Sequence, residues 1–230
     1  MQDLSSFEST LGFEFKNKDL LLQALTHRSY LNEKPNFRLG HNERLEFLGD
    51  AVLELVVTEA LYEQFPDKPE GELTSFRAAL VNANMLSDVA SDLGVNDFLL
   101  LSRGEAKDVG RARQYILANA FEAIVGAMYL DQGYQPTKEF IHRVLFPHLG
   151  EVLEKKLYKD PKSLFQERAQ EVMGITPSYD VLREWGPDHD KHFVVGIYIE
   201  SELVAEGEGP SKQIAEAEAA RNGLKARGWE

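Results

Sequence analysis

The spacing of hydrophobic residues changes once along this chain, and that change limits the possible folds more than any other feature. Up to about residue 150 the apolar positions repeat as on one face of a helix: Leu20, Leu21, Ala24 and Leu25; Leu45, Leu48, Val52, Leu55 and Val56; Leu73, Phe76 and Leu80; Ile116, Phe121, Ile124, Val125 and Met128. Breaks fall at Lys34-Pro35-Asn36, at Phe65-Pro66-Asp67-Lys68-Pro69, from Gly104 to Gly110 and at Gln132-Gly133-Tyr134-Gln135-Pro136. Beyond Asp160-Pro161 a short helix, Ser163 to Val172, precedes alternating runs at Ser178 to Arg183, His192 to Ile199 and Glu202 to Glu206. An Ala-rich helix from Ser211 to Ala226 follows. The expected organisation is an all-α domain over residues 1–150, a charged linker over 151–160 and a small α+β module (α-β-β-β-α) over 161–230. The module's antiparallel sheet would carry both helices on one face.

Composition removes several classes of function. With 43% hydrophobic and 27% charged residues, the 230-residue chain can bury a core, and no apolar run reaches the ~20 residues of a membrane span. No membrane partner is expected. The start, MQDLSSFESTLGFEFKNKDL, has no basic segment leading into an apolar one, and the chain holds no cysteine. The expectation is a cytoplasmic protein without disulfides or thiolate metal sites. A net charge of −13 opposes a polyanionic partner at first sight. Residues 159–230 carry 9 Lys and Arg against 14 Asp and Glu, so neither part is basic, and any polyanion site has to be a local cluster.

The segment HNERLEFLGD supplies such a cluster in acidic form. At about 100° per residue, Glu43, Glu46 and Asp50 fall within roughly 60° of one another, while Leu45, Leu48, Val52 and Val56 take the opposite side. In ILANAFEAIVGAMYLD, Asn119 and Glu122 repeat the arrangement at i and i+3. Carboxylates this close raise each other's pKa unless a cation stands between them. A set of hard oxygens without Cys or His favours Mg²⁺, with Mn²⁺ as a substitute, over Zn²⁺. A solvated acidic helix face is the competing reading on spacing alone.

HNERLEFLGDAVL resembles the signature of the bacterial ribonuclease III family. ALTHRSY, FPDKPEGELTSFRAALVNANML, LSRGEAKD and ILANAFEAIVGAMYLDQGY are similar to its other blocks, in order. DPKSLFQERAQ, GPDHDKHF and GEGPSKQIAEAEAA resemble the family's double-stranded-RNA-binding domain, so the likeness spans essentially the whole chain. It implies a Mg²⁺-dependent homodimer that hydrolyses double-stranded RNA to 5′-phosphate and 3′-hydroxyl ends with short 3′ overhangs, in processing of ribosomal and other RNA. Glu46, Asp50, Asn119 and Glu122 would form the metal centre, with Asp50 and Glu122 indispensable. Glu43 would lie at the edge, and Glu70 would reach the site assembled with the partner subunit. Phe47 is a candidate for packing across the two-fold axis, with intramolecular core as its alternative. His27, in ALTHRSY, reads as structural rather than catalytic.

Two departures from the family pattern stand out. Asn119 occupies a position that is commonly aspartate, and the amide brings no charge to a bound ion. It fits a natural variant that works with the amide, or a substitution that traps an inactive complex. A catalytically weakened double-stranded-RNA-binding dimer is therefore the rival function; the retained acids oppose it. In the RNA-binding module, the resemblance implies that Gln166 and Glu167 meet 2′-hydroxyls, that His189 enters a minor groove and that Ser211 and Lys212 face a phosphate. The helix start at Ser211 carries one cation where the family has two or three, so binding should be weak and salt-sensitive. Arg77, Lys107, Arg111 and Arg113 are further candidates for lining the RNA valley.

Overall fold

Eleven α-helices, three single-turn 3-10 helices and three strands are formed among the described residues, 4–107, 110–187 and 191–229, of a computed structural model. They divide into two units, Met1–Tyr158 and Lys159–Glu230. The first contains α1 (Ser5–Leu11), α2 (Lys18–Ala24), α3 (Arg28–Glu33), α4 (Glu43–Gln64), α5 (Glu70–Leu80), α6 (Ala83–Asp92), α7 (Arg111–Gln132), α8 (Tyr134–Leu145) and α9 (Leu149–Glu154). The second contains α10 (Pro161–Met173), β1 (Ser178–Trp185), β2 (His192–Ile199), β3 (Glu202–Gly209) and α11 (Lys212–Arg227).

In the first unit the two 22-residue helices, α4 and α7, pack against each other through the middle of the core. Leu53, Val56, Val57 and Leu61 of α4 and Phe121, Ile124 and Val125 of α7 are fully or almost fully buried, which removes on the order of 2 kcal/mol of apolar surface from water at each. Local polar contacts set where the neighbouring helices begin. The Asn17 side chain accepts from the Asp19 N–H at α2, and the Asn82 side chain accepts from the Met85 N–H at α6. Asn42, almost fully buried, ties the start of α4 to α2. Its amide donates to the Ala24 carbonyl at 3.2 Å and its backbone N–H to the Thr26 carbonyl at 2.9 Å. A parallel bridge between Thr26 and Leu100 is the only strand-like pairing found among this unit's described residues.

The second unit is a three-stranded antiparallel sheet in the order β1-β2-β3, with α10 and α11 on one face. Phe165, Ile197, Ile199, Ala219, Ala220 and Leu224 meet there. α11 runs so close to β3 that a Cβ on Gly207 would collide with the Ala219 backbone nitrogen, so the crossing requires glycine there. Asp160 caps α10, accepting from the Ser163 N–H at 3.0 Å with Pro161 in the first turn.

The expected linker over 151–160 is largely part of the first unit. Val152 is buried in its core, and the Tyr158 ring meets Phe76 edge-on at 4.6 Å. The charges of EVLEKKLYKD hid this, because Val152, Leu157 and Tyr158 are too few to stand out beside them.

Candidate active site

Two glycines bring the carboxylates together. A Cβ on Gly49 would run into the Glu122 carbonyl oxygen, and one on Gly126 into the Leu45 carbonyl oxygen. α4 and α7 therefore cross with their backbones almost touching, and Glu46 and Asp50 come opposite Glu122. Glycine inside a helix costs roughly 0.5–1 kcal/mol relative to alanine, and here the close crossing requires it. The sequence signal was a glycine inside each of two strong helical patterns, which acquires meaning only when the two are paired.

The electrostatics record the convergence. Glu122 is half-buried on α7, and its carboxyl is pushed up to about 7, first by burial and then by the charges of Asp50 and Glu46. Glu46 is raised too, by burial and by its neighbours Glu43 and Asp50. Asp50 is exposed at the mouth of the cluster. Asn119 sits one turn before Glu122, roughly 60° round the helix, and is half-buried. Among the described residues no three acidic or histidine side chains are close enough to enclose an ion as they stand. The group is a repulsive acidic cluster that a divalent cation would draw together.

Glu43 stands at the edge and is engaged by two residues that had no assigned role in the sequence. Arg28 reaches one of its oxygens at 3.2 Å and His41 Nδ1 lies 3.8 Å from the other. Neither was detectable from spacing, since both lie outside α4. His27 caps α3, its Nδ1 accepting from the Ser29 N–H, and burial lowers its pKa. Glu70 opens α5, exposed, with an oxygen accepting from the Thr74 hydroxyl at 3.0 Å. Arg77 is engaged by Glu54 at 3.1 Å and Thr58 at 2.9 Å.

In the second unit Gln166 and Glu167 are exposed on α10, Glu167 lying 3.7 Å from Lys159. Ser211 caps α11, accepting from the Ile214 N–H at 3.3 Å, and Lys212 lies 5.8 Å from the Phe193 ring centre. His189 lies outside the described residues.

Comparison with known proteins agrees with this architecture. A ribonuclease-III-like family model matches residues 17–149, and a double-stranded RNA binding motif matches residues 161–226. Ribonuclease 3 of Borreliella burgdorferi is 44% identical over 223 residues, covering 97% of this chain and 91% of that one. Ribonuclease 3 of Streptococcus pneumoniae is 42% identical over 226 residues, covering 98% and 97%. The solved nuclease domain of ribonuclease III from Campylobacter jejuni, with a region involved in dimer formation, superposes with a TM-score of 0.57 at 42% identity. It covers 63% of this chain and 99% of that chain. With relatives matched along nearly their whole length and both domains found in order, the chain belongs to the ribonuclease III family.

Proposed function

We propose that this family member is a double-strand-specific endoribonuclease acting as a homodimer, with divalent metal held in each subunit by Glu46, Asp50, Asn119 and Glu122. One observation carries the reading: acids from two separate helices meet at a glycine-enforced crossing, with Glu122 pushed up to about 7. A pure RNA binder gains nothing from such a cluster, whereas a phosphodiester hydrolase needs one to hold cations. The donor set is all oxygen, and carboxylates kept partly out of water bind a hard ion such as Mg²⁺ or Mn²⁺ in preference to softer ones. Bound there, the ion supplies a more acidic water and neutralises charge on the phosphate oxygens. The chain's own part is to fix Asp50 and Glu122 across the groove. Arg28 and His41 hold Glu43 at its edge, facing RNA or ordered water. Glu70 is assigned to the site completed across the dimer. Cleavage is assigned 5′-phosphate and 3′-hydroxyl products with short 3′ overhangs, from cytoplasmic precursors such as ribosomal RNA.

The surface supports the dimer. Phe47 is 81% exposed on α4, and Leu55 and Tyr62 of the same helix are exposed as well. Next to it on α4, a groove of about 410 Å³ is lined by Leu48, Ala51, Leu55, Tyr129 and Tyr134. A knob and an apolar recess on one face suit a two-fold contact, in which each copy fills the other. In the second module, Gln166 and Glu167 are assigned to 2′-hydroxyls, the loop carrying His189 to the next minor groove, and Ser211 with Lys212 to a phosphate. Arg111, Arg113 and Lys107 are assigned to the nuclease valley.

The test is incubation of a long RNA duplex with the protein in millimolar Mg²⁺, with and without chelator, followed by sizing and end analysis. Short 5′-phosphorylated products that disappear with chelator are expected. A duplex that is bound but left intact would favour the silent binding dimer to which Asn119 points, and cleavage indifferent to chelator would refute the metal site.

A further inference from the structure

α7 extends the acidic cluster into a second, non-acidic surface. Counting back from Glu122, Tyr115 and Arg111 lie seven and eleven residues earlier, within roughly 20° of the same helix face. At 1.5 Å per residue they are about 10 and 16 Å along the axis. Tyr115 is 53% exposed. Beside it a cleft of about 220 Å³ is lined by Asn82, Ala83, Asn84, Arg111, Gln114 and Tyr115. In a chain with 38 acidic residues, none of the described residues lining this cleft is a carboxylate. The Asn82 amide is already used, accepting from Met85 N–H and donating to the Ala79 carbonyl at 2.8 Å. Asn84, Gln114, Arg111 and Tyr115 are all exposed.

The chemistry of the lining selects its occupant. Two amides and a phenol can both donate and accept hydrogen bonds, which matches a 2′-hydroxyl, and the ring offers an apolar face to a sugar or base. The cleft falls below the roughly 300–1,000 Å³ usual for a small-molecule pocket, and it is open. An A-form RNA strand laid from the acidic cluster along α7 advances about 2.8 Å of axis per nucleotide, so Tyr115 falls about three to four nucleotides from the bond being cut.

We propose that Tyr115, with Asn84 and Gln114, forms a sugar-edge subsite for the RNA strand about three to four nucleotides from the scissile phosphate. Tyr115 is a positioning residue there: it sets the register of the strand and touches no reacting atom. The inference rests on the endoribonuclease reading above.

The test uses the full-length protein and a defined RNA duplex carrying single 2′-deoxy substitutions moved stepwise away from the cut. In the unaltered protein, one substitution two to four nucleotides from the cut should raise KM about fivefold, the worth of one hydrogen bond. In Tyr115→Phe that local penalty should disappear, with the penalties at other positions kept. Tyr115→Ala should raise KM further and blur the position of the cut, with kcat little changed. Gln114→Ala, a second exposed position, should weaken the same penalty. Unaltered KM and cut position in Tyr115→Ala would overturn the subsite, and so would an unchanged 2′-deoxy profile in Tyr115→Phe. Failure of the unaltered protein to cut any duplex would overturn both this inference and the reading beneath it.

Discussion

Replacing Glu122 by glutamine should stabilise the metal-free protein while abolishing its chemistry. A carboxyl pushed from 4.5 up to about 7 resists ionisation by roughly 3 kcal/mol, at 1.36 kcal/mol per pH unit. Glu122 is only half-buried, and solvent screening reduces the expected penalty to about 2 kcal/mol. Between about pH 4.5 and 7 the folded protein keeps a proton that the unfolded chain has released. Stability therefore falls as pH rises through that window; below it both states are protonated and the penalty vanishes, and above it the penalty is complete. Glutamine fills nearly the same space with no charge to desolvate. At pH 8 in chelator, Glu122→Gln should melt about 4–8 °C above the unaltered protein, and the two should converge near pH 4.5. Millimolar Mg²⁺ should raise the melting temperature of the unaltered protein and leave that of the variant nearly unmoved, since a cation gains little where the charge is missing. Scanning calorimetry at several pH values measures all of this, and comparing two proteins cancels every other titrating group. A variant less stable than its parent at pH 8, or equal pH slopes for the two, would refute the claim that burial and the facing acids together hold the Glu122 carboxyl up.

Gly49→Ala should destabilise the protein by about 3 kcal/mol or prevent folding, because the new methyl meets backbone that cannot give way; denaturant unfolding measures it. Phe47→Ala should weaken self-association by about 2 kcal/mol at unchanged monomer stability, read by sedimentation equilibrium, because the ring is exposed within one copy. Asn119→Asp should lower the half-saturating Mg²⁺ concentration, read from titrated cleavage and from ion binding by calorimetry; identical values in the two proteins would contradict a neutral ligand at that position. RNA affinity should fall steeply between low and moderate salt, and a dissociation constant indifferent to salt would remove phosphate contacts from the account.

Helix periodicity located α4 and α7, and with them the faces carrying Glu43, Glu46, Asp50 and Glu122, because at 22 residues each these are the longest helical repeats among the described residues. What periodicity within one helix cannot carry is which helices cross and how closely. That information lay in Gly49 and Gly126, single residues whose meaning appears only as a pair. The engagement of Glu43 by Arg28 and His41 was illegible for the same reason: it joins segments that spacing treats separately. In the second unit the strands were visible from alternation, but β1 runs two residues past its expected end, to Trp185. The Trp185 ring stacks on His192 across the hairpin at 5.5 Å, a cross-strand pairing that no single run contains.

The charge of −13 looks contrary to an RNA partner only while it is treated as spread evenly. Many exposed lysines and arginines are already paired: Lys68 with Glu72, Lys155 with Glu151, Arg168 with Glu171 and Arg221 with Glu218. Such pairs are screened within about 8–10 Å at physiological salt, so they contribute little field at a distance. What a phosphate strand meets is local. At the helix crossing it meets acids whose repulsion is the driving force for taking up cations, and each divalent ion bound cancels two of the negative charges that the phosphate approaches. Along α7 it meets Arg111 and a cleft whose described lining residues include no carboxylate. The surplus negative charge of the nuclease unit and its attraction for RNA are therefore compatible, provided the ions arrive first. Without divalent ions, RNA affinity at the nuclease unit should be lost along with cleavage.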